Sequence, residues 1–245
     1  MGLVQFSIQQ REEINLGKKN GLTKKQVARY AKEKFWANQM KEIRLGYQHG
    51  LTDTQVMSYA KEKFWPYQMK QIRLGYQNKL TDEQVKIYAK ANISPNVMYY
   101  VRRELQKGLN PEKAKEIVDF KFAEYDIKHI EQISFVCKCL LKGIDKDLIK
   151  KFIRISSKTS YYMGRSLDFD KLQICLEGLL NGLSVEAVCV YAKHELCFEQ
   201  MREIYLGLIN GLSITQVKAY ACEDIFPARM RKIRKVLLEM KNNTN

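Results

Sequence analysis

Apolar residues follow helical spacing over most of the chain. Met40, Ile43 and Tyr47 stand at i, i+3 and i+7, one face of a helix, and Gly50 follows where a helix ends on a left-handed residue. Leu51 then precedes Thr52-x-x-Gln55, in which a hydroxyl and an amide side chain satisfy each other's backbone donors. A second helix therefore starts there, with Val56 and Tyr59 on its apolar face.

The unit recurs. Shifting the chain by 29 residues places Gln39 to Tyr47 on Gln68 to Tyr76, Leu51 to Val56 on Leu80 to Val85, and Tyr59-Ala60 on Tyr88-Ala89. Ile14, Gly17, Gly21-Leu22-Thr23, Gln26-Val27 and Tyr30-Ala31 form an earlier copy. Met98, Val101, Arg102 and Gly108-Leu109-Asn110 form a degenerate fourth, and Ile133, Val136 and Gly143-Ile144 a fifth. After an irregular stretch from about Ser156 to Asp170, Leu172 to Ala192 and Met201 to Ala221 give a sixth and a seventh, and Met230 and Ile233 open a last helix. A fixed period of this length is the mark of a solenoid, whose units bury their apolar faces only against neighbours. The expected fold is all-α, an α-solenoid of about seven helix-hairpin repeats plus a C-terminal closing helix. Residues 1–120 are read as basic repeats 1–4, 121–170 as an irregular middle segment holding repeat 5, and 171–245 as repeats 6–7 with the closing helix.

Two recurring features need a physical cause. Gly17, Gly46, Gly75, Gly178 and Gly207 lie inside helices, where each costs about 1 kcal/mol relative to Ala, so a bulky group must approach there. The Tyr of each Tyr-Ala pair is the expected visitor. Phe35-Trp36 and Phe64-Trp65, echoed by Ile93, Leu196 and Ile225, are expected to wedge between units; were the Trp rings exposed, they could stack on bases.

The repeat core QMxxIRLGxxxGLT/SxxQVxxYA resembles a tandem helical repeat of bacterial phages and conjugative elements, especially of gut bacteria. The resemblance covers most of the chain and implies a mobile-element origin, but no activity is common to that repeat and no catalytic residue is carried over. The copies from Asn96 to Asp170 depart from the pattern.

Catalytic and metal motifs are absent from the sequence. It holds no HExxH and no serine elbow, and His49, His129 and His194 are scattered. Of the six cysteines none forms CxxC; Cys189, Cys197 and Cys222 fall among apolar residues and are expected to be buried thiols. A helical-repeat DNA glycosylase would suit fold and charge, but nothing supplies its acid and base. A helix-turn-helix reader is disfavoured because second helices begin Thr52-Asp53 and Thr81-Asp82-Glu83, carboxylates that would face phosphates. No enzyme, cofactor or metal is expected. The apolar runs fall short of the roughly 18 residues a membrane span needs, and Met1 to Gln10 is unlike a secretory signal, so a cytoplasmic protein is expected.

Charge narrows the partner. The chain carries 42 Lys and Arg against 27 Asp and Glu. Residues 1–120 hold 22 against 12, whereas 166–224 hold 4 against 9. Arg44, Arg73 and Arg102 recur at the repeat period beside Lys41, Lys70 and Arg103, and would form a solvent-facing ridge with steps of about 8 to 10 Å, one helix-packing distance. Lys32, Lys34, Lys61, Lys63 and Lys90 would edge its other side, and Arg231 and Arg234 lie in a terminal basic cluster. Arg44 could equally pair with a neighbouring repeat's Glu. Two functions follow. A basic surface could hold RNA, single-stranded DNA or a ribonucleoprotein, with an anti-CRISPR-like inhibitor of an RNA-guided nuclease as a concrete form. Alternatively the solenoid is an adaptor for an acidic protein surface, or self-associates.

Overall fold

The computed structural model describes residues 5–160 and 164–243, and over them the chain is all-helical apart from one short hairpin of strands. It divides into two compact units, Met1–Lys121 and Phe122–Asn245.

In the first unit four helix hairpins follow one another: α1 (Ile8–Lys19) with α2 (Lys24–Tyr30), α3 (Ala37–Gln48) with α4 (Asp53–Tyr59), α5 (Pro66–Gln77) with α6 (Asp82–Tyr88), and α7 (Pro95–Gln106) with α8 (Pro111–Asp119). The first helices pack in the series α1, α3, α5, α7, and α2, α4 and α6 each pack on the first helix of their own repeat and of the next. The second unit opens with a 3-10 turn, Phe122–Tyr125, followed by α9 (Ile130–Leu141) and α10 (Lys146–Ser156). The irregular stretch contains β1 (Ser157–Ser160) and β2 (Gly164–Leu167), paired antiparallel. Then come α11 (Phe169–Leu180) with α12 (Val185–Tyr191), α13 (Phe198–Ile209) with α14 (Ile214–Lys218), and a single closing helix, α15 (Pro227–Asn242). This is the helical-repeat solenoid read from the 29-residue period.

Local signals explain the hairpins. Thr23, Thr52, Thr81 and Ser213 each cap a second helix, with Gln26, Gln55, Gln84 and Gln216 completing the box, and Asn110 with Pro111 starts α8. The turn before each cap needs a positive φ, which Gly50 supplies at 77°. Lys79 holds the same turn position in the third repeat at φ 63°. A side-chain-bearing residue thus occupies a conformation that costs it about 1 kcal/mol.

The mid-helix glycines admit tyrosine, as expected. A methyl group at Gly17, Gly46, Gly75, Gly178 or Gly207 would overlap the hydroxyl oxygen of Tyr30, Tyr59, Tyr88, Tyr191 or Tyr220 respectively. Those hydroxyls donate to backbone carbonyls in the facing first helix: Tyr30 to Glu13 at 3.2 Å, Tyr59 to Glu42 at 3.3 Å, Tyr191 to Ile174 at 3.2 Å. Burial pushes Tyr30 up to about 12 and raises Tyr59 and Tyr88 as well, so each remains a neutral donor. These five tyrosines are fully buried, a large payload available only because glycine opens the opposing helix.

Candidate nucleic-acid interface

The expected arginine ridge does not form. Arg44, Arg73 and Arg102 are buried, at 6 to 7% exposure. Each reaches back one repeat: Arg44 Nε donates to Glu13 at 2.7 Å, Arg73 Nε to Glu42 at 2.8 Å, and Arg102 Nε to Gln71 at 3.1 Å. A second donor is satisfied four residues on, by Gln48, Gln77 and Gln106. Burying a guanidinium is tolerable only with such partners, and the repeat places an acceptor at the same position each time. Where the partner is neutral Gln71, desolvation lowers the pKa of Arg102. Arg234 belongs to the same class, closing on Glu203, while Arg231 pairs with that carboxylate from a more exposed position. These residues hold repeats together and offer no rail to a strand.

The exposed cations lie elsewhere. Lys41 and Lys70 face solvent on α3 and α5, and exposed Arg103 bonds Tyr99 Oη on its own helix at 2.8 Å. The loops between repeats carry Lys32, Lys34, Lys61, Lys63 and Lys90, all exposed. In each loop the backbone folds identically. The N–H of Lys32, Lys61 and Lys90 bonds the carbonyl two residues back at 2.7 Å, and the N–H of Phe35, Phe64 and Ile93 returns to the carbonyl of that lysine at 3.1 Å. Phe35 and Phe64 then drop into the core.

Glutamine fixes these loops from the preceding repeat. Gln39 Nε2 donates to the carbonyls of Glu62 and Phe64, at 3.3 and 2.7 Å, and Gln68 Nε2 to those of Ala91 and Ile93, at 2.9 and 2.6 Å. The same amides accept from the N–H of Trp36 and Trp65, both at 2.9 Å. One buried side chain thus holds the start of its own helix and the loop of the following repeat. In the second unit Gln200 does this for Glu223 and Ile225, and Lys171 bonds the carbonyls of His194 and Leu196.

The tryptophans do not wedge between units. Trp36 and Trp65 are 60% and 63% exposed, and their rings meet edge to face, centroids 5.9 Å apart with planes at 87°. The adjacent phenylalanine takes the buried place, so the N-capping residue of α3 and of α5 is turned outward. Tyr67, one residue past Pro66, is 70% exposed. Lys34 and Lys63 lie 5.3 and 5.4 Å from the Phe35 and Phe64 ring centroids, and Lys34 also pairs with Glu62 at 2.9 Å. Two indoles thus project from an edge lined by five lysines, with Glu33 and Glu62 between them.

His49, His129 and His194 are exposed and apart in the chain, and no cluster that could hold a metal ion occurs among the described residues. Cys139 and Cys175 are buried, and burial pushes both thiols up to about 12. Cys197 and Cys222, expected inside, are exposed: Cys197 stands at the N-cap of α13, the place of Trp36, and Cys222 in the following loop. Ser7, Ser94 and Phe226 at the same N-cap position are exposed as well. No described helix is long and apolar enough to cross a membrane. No protein-family model, curated protein or solved structure matches the chain.

Proposed function

We propose that the first unit binds single-stranded nucleic acid along the edge formed by its inter-repeat loops, and that the chain acts by binding rather than by catalysis. The exposed pair Trp36 and Trp65, set among lysines, carries this reading. Base stacking on an aromatic face is worth about 1–3 kcal/mol per base and tolerates any sequence, while lysines neutralise phosphates.

Ring geometry favours a single strand over a duplex. Bases in a duplex are held parallel, whereas these indole planes are perpendicular. A strand touching both must splay its bases, which an unpaired strand does cheaply and a duplex does only by breaking pairs. RNA and single-stranded DNA share that chemistry. Under the resemblance to mobile-element repeats, the strand would arrive within a ribonucleoprotein, such as an RNA-guided nuclease.

The chain contains two tryptophans, both on this edge, so its intrinsic indole fluorescence reports the site alone. Titration with a short oligouridine should quench that emission, with a log-log salt slope near −3 for about four or five lysine–phosphate contacts at roughly −0.7 each. A duplex of equal length binding as tightly, or no quenching by either, would refute the proposal.

A further inference from the structure

Among the described residues, no other helix packs over one side of the first hairpin. Ile14, Leu22, Val27 and Ala28 line a groove of about 800 Å³ across α1 and α2, rimmed by Arg11, Lys18 and Lys24. The rim residues and Ala28 are exposed, and no carboxylate lines the groove. The repeat shows what this surface is built for. One period later the corresponding face holds Ile43, Arg44, Tyr47, Leu51 and Val56, all buried. There the preceding hairpin packs on it, with α1 and α2 both against α3. Across that junction a carboxylate of the preceding helix, Glu13, meets Arg44 of the following one, and Glu42 meets Arg73 in the next. The first hairpin therefore presents the apolar receiving half of a junction repeated through its unit, with Asn15 at the place of Arg44.

We infer that this groove docks an acidic amphipathic helix of a partner protein. Its floor asks for an apolar stripe at helical spacing, and its rim of three bases asks for carboxylates beside that stripe. A second copy of this chain could offer α15, which follows the last described hairpin as a single helix. That helix carries Arg229, Arg231, Lys232, Arg234, Lys235 and Lys241 against Glu239, and would set bases against bases. The site is separate from the tryptophan edge, so each can fail without the other.

The probe is a synthetic amphipathic helix of about 18 residues, with leucines at i, i+3, i+4 and i+7 flanked by glutamates, compared with its lysine-for-glutamate twin. The acidic peptide should bind at least about tenfold tighter, one decade being about 1.4 kcal/mol, and should slow amide exchange in α1 and α2. Ala28→Phe, which fills the groove from an exposed position, should abolish this binding while leaving Tm and oligouridine quenching unchanged. Lys18→Glu with Lys24→Glu should reverse the preference between the two peptides. Equal affinity for both peptides, or protection elsewhere in the chain, would overturn the inference. So would a concentration-dependent dimer that Ala28→Phe abolishes, which would assign the groove to a second copy.

Discussion

Lys61-Glu62-Lys63-Phe64-Trp65 in the first unit and Cys222-Glu223-Asp224-Ile225-Phe226 in the second occupy the same place in the repeat. Both loops are braced by an amide from the preceding first helix, Gln39 or Gln200, on the carbonyls of their second and fourth residues. Both turn their last residue outward, Trp65 at 63% and Phe226 at 80% exposure. Only the charge differs, since the lysines of one loop are replaced by a thiol and a carboxylate in the other. Because the brace acts on backbone, the shape of the loop is independent of its outward side chains. The repeat thus fixes a scaffold on which the first unit carries a basic aromatic edge and the last loop of the second an acidic one.

Substitutions can test the separation of scaffold from edge, beginning with the largest effect. Arg73→Ala leaves Glu42 charged and buried and should cost about 3–5 kcal/mol in chemical denaturation. Arg102→Ala, whose partner Gln71 is neutral, should cost less, about 1–3 kcal/mol. Equal losses would mean that the buried charge is irrelevant. Neither substitution should alter oligouridine affinity while the protein is folded, because neither side chain reaches the edge.

Gly46→Ala should destabilise by about 2–3 kcal/mol through overlap with the Tyr59 hydroxyl, despite the better helix propensity of alanine. Tyr59→Phe alone should cost about 1 kcal/mol for the hydrogen bond to Glu42 O. Combined, they should be less damaging than Gly46→Ala alone, since the hydroxyl that the methyl strikes is gone. Additive losses would place the cause elsewhere. At the small end, Lys79→Gly should stabilise by about 1 kcal/mol, and a loss of stability would show that the lysine side chain contributes more than its backbone strain costs.

The 29-residue period carried the fold because each of its signals is local. Caps, turn glycines and apolar spacing each specify a helix end or face, and all point to the same hairpin. The site was less legible, since a period does not say whether a recurring residue repeats toward solvent or toward its neighbour. Arg44, Arg73 and Arg102 looked like a surface ridge, yet their acceptors Glu13, Glu42 and Gln71 recur at the same period 31 residues upstream. That matched pair was the signal of a junction. Phe-Trp was similarly ambiguous, because only one ring of two adjacent residues can face inward. The column of Phe35 holds Phe6, Phe64, Ile93, Leu196 and Ile225, apolar in all but the degenerate fifth copy, whereas that of Trp36 holds Ser7, Ser94 and Cys197. A position that accepts serine points outward. The glutamine brace reads in the sequence as ordinary polar helix surface, and its reach of 23 to 25 residues shows only once the repeats are stacked.

The most direct test compares the two edges in one protein. Binding of fluorescently labelled oligouridine, followed by anisotropy, should weaken about tenfold or more for Trp36→Ala and for Trp65→Ala, one stacked base being worth about 1–3 kcal/mol. It should be unchanged for Phe226→Ala, whose loop is acidic, and Tm should hold in all three because each ring is exposed. Affinity indifferent to both tryptophans, or lost equally with Phe226, would contradict the claim that the first unit's edge is the binding surface.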